Sequence, residues 1–89
     1  MIQQLVNTLN NVLKGSNLIL HIEEEQGRSI KSIVYVTYSV YINTKSNPKP
    51  IKLVSLTRTK KLNEDNYAIE KEFTESFLIY IINGGLQNL

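Results

Sequence analysis

The sequence predicts a small α+β domain in which two helices cover one face of a three-stranded antiparallel meander, in the order α-β-β-β-α. Three observations predict it. Apolar residues recur at helical spacing near both ends of the chain and at a spacing of two between them. The connections are short, so consecutive strands pair as neighbours. Eighty-nine residues supply one core, with no linker and no internal repeat to mark a second, so residues 1–89 read as a single domain.

The first helix is predicted over residues 2–14, where Ile2, Leu5, Val6, Leu9, Val12 and Leu13 form one stripe. Gly15 stops it at a position suited to left-handed backbone. Its other face is an amide face of Gln3, Gln4, Asn7, Thr8, Asn10 and Asn11, so the helix depends on packing more than on propensity. The first strand is predicted over residues 17–25, with Leu18, Leu20 and Ile22 alternating against Ile19, His21 and Glu23. Gln26 and Gly27 supply the turn that follows. The second strand is predicted over residues 30–43 and is the strongest signal. Ile30, Val34, Val36, Tyr38, Val40 and Ile42 share its core face, and Lys31, Ile33, Tyr35, Thr37, Ser39, Tyr41 and Asn43 the other.

Thr44 to Pro50 carries two prolines and reads as a multi-residue loop. The third strand is predicted over residues 51–62, and its apolar phase slips between Leu53 and Val54, which a β-bulge explains. The second helix is predicted over residues 64–83, capped by Asn63, with Glu64 and Asp65 near the positive end of its dipole. Ile69, Phe73, Phe77, Tyr80 and Ile81 keep helical spacing, Gly84 and Gly85 close the helix, and residues 84–89 form a short tail containing Leu86 and Leu89.

Composition removes several function classes. With no cysteine there are no disulfides, thiolate metal sites or thiol nucleophiles, and one histidine excludes most histidine-based metal clusters. No apolar run approaches the ~20 residues that span a bilayer, and no leader pattern opens the chain, so a soluble cytoplasmic protein without membrane contact is expected. His21, between Leu20 and Ile22, reads as a solvated strand residue and not as a general base. The run Glu23, Glu24, Glu25 reads as a charged strand end and not as a metal site. No nucleophile elbow, phosphate-cradling glycine loop or zinc spacing occurs. The expectation is a protein that is not an enzyme, with no catalytic residues, no cofactor, no metal and no small-molecule substrate.

Two surfaces carry the functional argument. From Gln26 through Asn63 there is no Asp or Glu, and eight of the ten basic residues fall in that interval, although the chain as a whole is only +2. Such a basic ribbon attracts phosphate backbones or an acidic partner, and tyrosines beside it can stack on bases. The candidate polyanion or partner surface is therefore Lys31, Tyr35, Tyr41, Lys45, Lys49, Lys52, Arg58, Lys60 and Lys61. The second surface is the end of the last helix, where Phe77 to Ile82 is apolar all round and a helix on a sheet buries only one side. Phe77, Leu78, Ile81 and Ile82 are the candidate oligomer contact.

The element order resembles that of the double-stranded-RNA-binding domain, and the basic hairpin with Asn47-Pro48 in its loop resembles the DNA-bending arm of the HU family. The first family's glycine-rich third-strand turn and Lys-Lys-x-Ala-Lys helix start have no counterpart here, where Lys60-Lys61 precede the cap. The second family's Gly-Phe-Gly turn and two-helix dimer body are missing. Neither assigns the chain. The expected function is a non-catalytic domain acting through protein contacts, as a homo-oligomeric subunit or a small partner-capturing protein. The alternative is a nucleic-acid-binding module using the ribbon of residues 28–61.

Overall fold

The strand with the most regular alternation is also the centre of the sheet. In the computed structural model, which describes residues 1–28 and 31–88, β2 (Ile33–Thr44) lies between β1 (Leu18–Arg28) and β3 (Ile51–Lys61), antiparallel to both. Two helices, α1 (Ile2–Val12) and α2 (Tyr67–Ile82), pack on one face of this open sheet, and a 3-10 turn at Gly85–Asn88 follows. The fold is the expected α-β-β-β-α.

Alternation decides the layers. Val34, Val36, Tyr38, Val40 and Ile42 of β2 join Leu20 of β1, Ile2 and Val6 of α1, and Ile69, Phe73 and Phe77 of α2 in one buried cluster. The odd-numbered residues of β1 and β2 stand on the other face, which no helix covers. The bulge falls where the apolar phase slips: Val40 faces Val54, the next pair is Tyr41 with Lys52, and Leu53 is the extra residue. That insertion keeps Lys52 on the outer face with Tyr41.

Several boundaries move. The first turn is not at Gln26-Gly27. Gly27 lies inside β1 opposite Tyr35, and pairing runs on to Arg28 and Val34 because the glutamates stand on solvated positions and nothing opposes the ladder. Lys31 consequently sits in the turn and not on the second strand, and both it and Ser32 adopt left-handed backbone, with φ of 58 and 64°. Ile30, expected on the core face, lies outside the described residues, as does Leu89. The second helix begins at Tyr67 and not at residue 64. Leu62 to Asp65 are used to turn the chain, the Glu64 amide donating to the Lys61 carbonyl at 3.1 Å, so Asn63 caps nothing. Asp65 Oδ1 instead accepts the Tyr67 amide at 3.0 Å.

Helix α1 ends at Val12, and Gly15 does adopt left-handed backbone. Its amide face does more than meet solvent. Asn10 donates from Nδ2 to the Leu20 carbonyl and accepts the Leu20 amide on Oδ1, both at 2.9 Å, so one side chain satisfies both backbone groups of an edge-strand residue. Glu70 of α2 accepts the Ile2 amide at 3.1 Å, which supplies α1 with the terminal acceptor its own sequence lacks.

Candidate functional site

The β-bulge and strand register place the basic ribbon's side chains on two different faces. Arg58 and Lys60 have the parity of Val54 and Leu56 and point to the helix side. There Arg58 donates to Glu72 from Nε at 3.1 Å and Nη2 at 2.6 Å, and Lys60 Nζ donates to the Glu64 carbonyl. Lys52 and Lys61 lie on the open face. Lys31 and Lys61 meet at one end of the sheet, where with Ser32, Ile33, Leu62 and Asn63 they line a solvent-open cavity of about 520 Å³. Lys45 and Lys49 sit in the loop at the opposite end, roughly 35 Å away along a strand of this length. The eight cations therefore do not form one continuous surface.

The open face is polar at its centre. Thr37 and Thr57 hydroxyls are 2.8 Å apart across the β2–β3 pair, and Ser39 and Ser55 hydroxyls 3.1 Å apart. Tyr41 lies between His21 of β1 and Lys52 of β3: the two rings stack at 5.2 Å, and Lys52 Nζ is 5.8 Å from the Tyr41 centroid. His21 also approaches Glu23 at 3.7 Å. Tyr35 stands six residues from Tyr41 on the same face, roughly 20 Å away, so the two tyrosines do not make one stacking platform. Glu23 and Glu25 share this face on β1, opposite Ser39 and Thr37. The acid-free interval of sequence is thus set beside two carboxylates in space.

At the end of α2 the structure separates core from surface. Phe77 is 0% exposed and belongs to the core, and Ile81 is half-buried against it. Of the expected contact residues, Leu78 and Ile82 remain outside, at 39 and 79% exposure, and Ile79, not among those expected, joins them at 59%. The signal for Ile79 was present: Ile69, Phe73 and Phe77 fix the inward stripe, and Leu78, Ile79 and Ile82 are the positions away from it. The described residues after α2 do not cover them. It folds toward Tyr80, whose hydroxyl donates to the Gly85 carbonyl at 3.0 Å, while Leu86 packs on the core. No charged residue occurs after Glu75, which lies one turn before Leu78 and Ile79 on the same face, so the patch is apolar with a carboxylate at its margin.

One polar network runs from the buried Tyr38 to the exposed Glu24. Tyr38 donates its hydroxyl to Glu24 at 2.5 Å, and Asn66 donates to the same carboxylate oxygen at 2.8 Å. Burial, and then the hydrogen bond to Glu24, hold the Tyr38 phenol well above its ordinary value. This network ties β1 to the start of α2. Among the described residues no group of three or more histidine, aspartate or glutamate side chains is arranged to hold a metal ion, and no helix is long and apolar enough to cross a membrane. Comparison with protein-family models, with curated proteins and with solved structures finds no match for the chain.

Proposed function

We propose that this is a non-catalytic domain that works through protein contacts, associating with a second copy of itself through the outer side of α2. The observation that carries the reading is the trio Leu78, Ile79 and Ile82, left exposed by a helix whose inward stripe is already complete. Two further points support it. Lys71 and Glu75 flank the patch on the same helix face with opposite charges, so two copies related by a two-fold axis can meet there without net repulsion. The chain also exposes 6112 Å², against roughly 5,300 Å² for a typical monomer of its mass, an excess to which this patch contributes. Ile82→Glu places a charge where the second copy would sit while leaving the core untouched. Light scattering should give a multiple of 10.2 kDa for the unmodified chain and 10.2 kDa for the variant, which should remain folded by circular dichroism. A unit mass for the unmodified chain at high concentration would remove self-association.

The alternative, a nucleic-acid-binding module using residues 28–61, keeps one supporting observation: Lys52 beside Tyr41 is an aromatic and basic pair on an open sheet face. Its support is smaller, because Arg58 and Lys60 are engaged toward α2 and the remaining lysines sit at opposite ends of the sheet.

A further inference from the structure

We propose that the outer edge of β3 is a docking edge for an extended acidic segment of a partner protein, which adds to the sheet as a fourth strand. The inference rests on the protein-contact reading but uses a surface distinct from α2.

The two edges of the sheet are treated differently. On β1, Asn10 occupies both backbone groups of Leu20, and Ser16 Oγ accepts the Leu18 amide at 3.2 Å, so the start of that edge is closed. The same bonds fix the direction of every backbone group. Leu20 points away from β2, so the odd residues of β1 bond β2, and the even residues of β2 bond β3. On β3 the partners of those even residues, Val54, Leu56, Arg58 and Lys60, point inward, and the amides of Ser55, Thr57, Thr59 and Lys61 point outward. The Leu62 amide, which donates inward to Ser32 at 2.7 Å, keeps the same parity. All four outward residues are exposed. Among the described residues, the one side-chain bond to this outward row is from Arg58 Nη1 to the Thr57 carbonyl, which retains a second lone pair.

Charge selects the partner. β3 carries Lys52, Arg58, Lys60 and Lys61 and no acid, and none of the ion pairs among the described residues engages Lys52 or Lys61. An incoming strand would run between these two cations with its side chains alternating above and below the sheet, so carboxylates on its open-face side approach Lys52 and Lys61. Recognition by a row of outward amides and carbonyls suits a polypeptide and not a polynucleotide.

The probe is a short fluorescent peptide alternating Glu and Thr, titrated into the full chain and followed by anisotropy. Four comparisons accompany it: the same peptide N-methylated on alternate amides in either of the two phases, its Lys-for-Glu counterpart, and oligothymidylate. The acidic peptide should bind, the lysine peptide should not, and N-methylation in the strand-facing phase should weaken binding at least about tenfold. Thr59→Pro removes an outward amide and no bond of the β2–β3 ladder, and should do the same. Equal binding of the N-methylated peptide in both phases would reduce the contact to charge and overturn strand addition. Absence of acidic-peptide binding, or oligothymidylate binding in its place, would also overturn it. The N-methyl comparison changes the probe alone and decides the matter even if Thr59→Pro unfolds the chain. Ile82→Glu should leave peptide binding unchanged, so failure of this proposal and failure of self-association through α2 are read by different instruments.

Discussion

Asn10 is a poor helix former in the last turn of α1, and its place is explained by the strand it faces. Its amide supplies one donor and one acceptor at 2.9 Å to Leu20, as a neighbouring strand would. Asn10→Leu keeps the branched shape of the side chain and leaves both backbone groups of Leu20 unpaired at a half-buried edge, so urea denaturation should show a loss of about 1–3 kcal/mol. The Leu20 amide should lose its protection against hydrogen exchange. Tyr38 gives a residue-scale prediction of opposite chemistry. Its phenol is held in the protonated, donating form by burial and by Glu24, above the ordinary value of 10.0. The unfolded chain therefore releases this proton first as pH rises, so the contribution is intact below about pH 10 and is lost above it. Thermal melts across that window should show a steeper alkaline decline for the unmodified protein than for Tyr38→Phe.

At the scale of elements, α2 is held by unequal contacts. The Arg58–Glu72 pair is half-exposed on both sides, so Arg58→Ala should cost less than ~1 kcal/mol in spite of its two-bond geometry. Gly85 matters more. A Cβ there would stand 2.4 Å from the Tyr80 ring, so Gly85→Ala must displace the ring and break its bond to the Gly85 carbonyl. A loss of about 1–3 kcal/mol is expected, measured by the same denaturation experiment. These cases also mark how far the sequence can be read. The period of two in β2 and the slip at Leu53 were legible because a buried face forces the pattern. The ends of β1 and the start of α2 were not, because Gln26-Gly27 and Asn63 carry local turn and cap chemistry that long-range partners override: Tyr35 opposite Gly27, and the Lys61 carbonyl that takes the Glu64 amide. The candidate surfaces were legible as residue types and not as positions. Strand parity sends Arg58 and Lys60 to the helix side, and helix phase puts Phe77 inside and Ile79 out. The Asn10 contact had no local signal, since its partner belongs to another element.

On the scale of the whole molecule, 47 × 24 × 19 Å is an elongated shape for this chain, and the length comes from a sheet with helices on one side only. Such a molecule offers three uncovered features: the polar open face, the β3 edge and the apolar end of α2. Salt separates the classes of partner they suit. Phosphate contacts release counterions, and on single strands log K falls by about 0.7 per contact for each unit of log salt. Apolar association does not weaken in this way. If Lys45, Lys49 and Lys52 made three such contacts, Lys49→Glu would flatten the slope by about 0.7. On the protein-contact account, Lys49→Glu leaves the oligomeric state unchanged.

The most direct test is therefore the molar mass in solution at low and at high salt, alone and with single-stranded DNA added. Self-association through α2 gives a multiple of 10.2 kDa at both salt concentrations, unaltered by the DNA. A mass of 10.2 kDa alone, with a DNA complex that forms at low salt and dissolves at high salt, would contradict it.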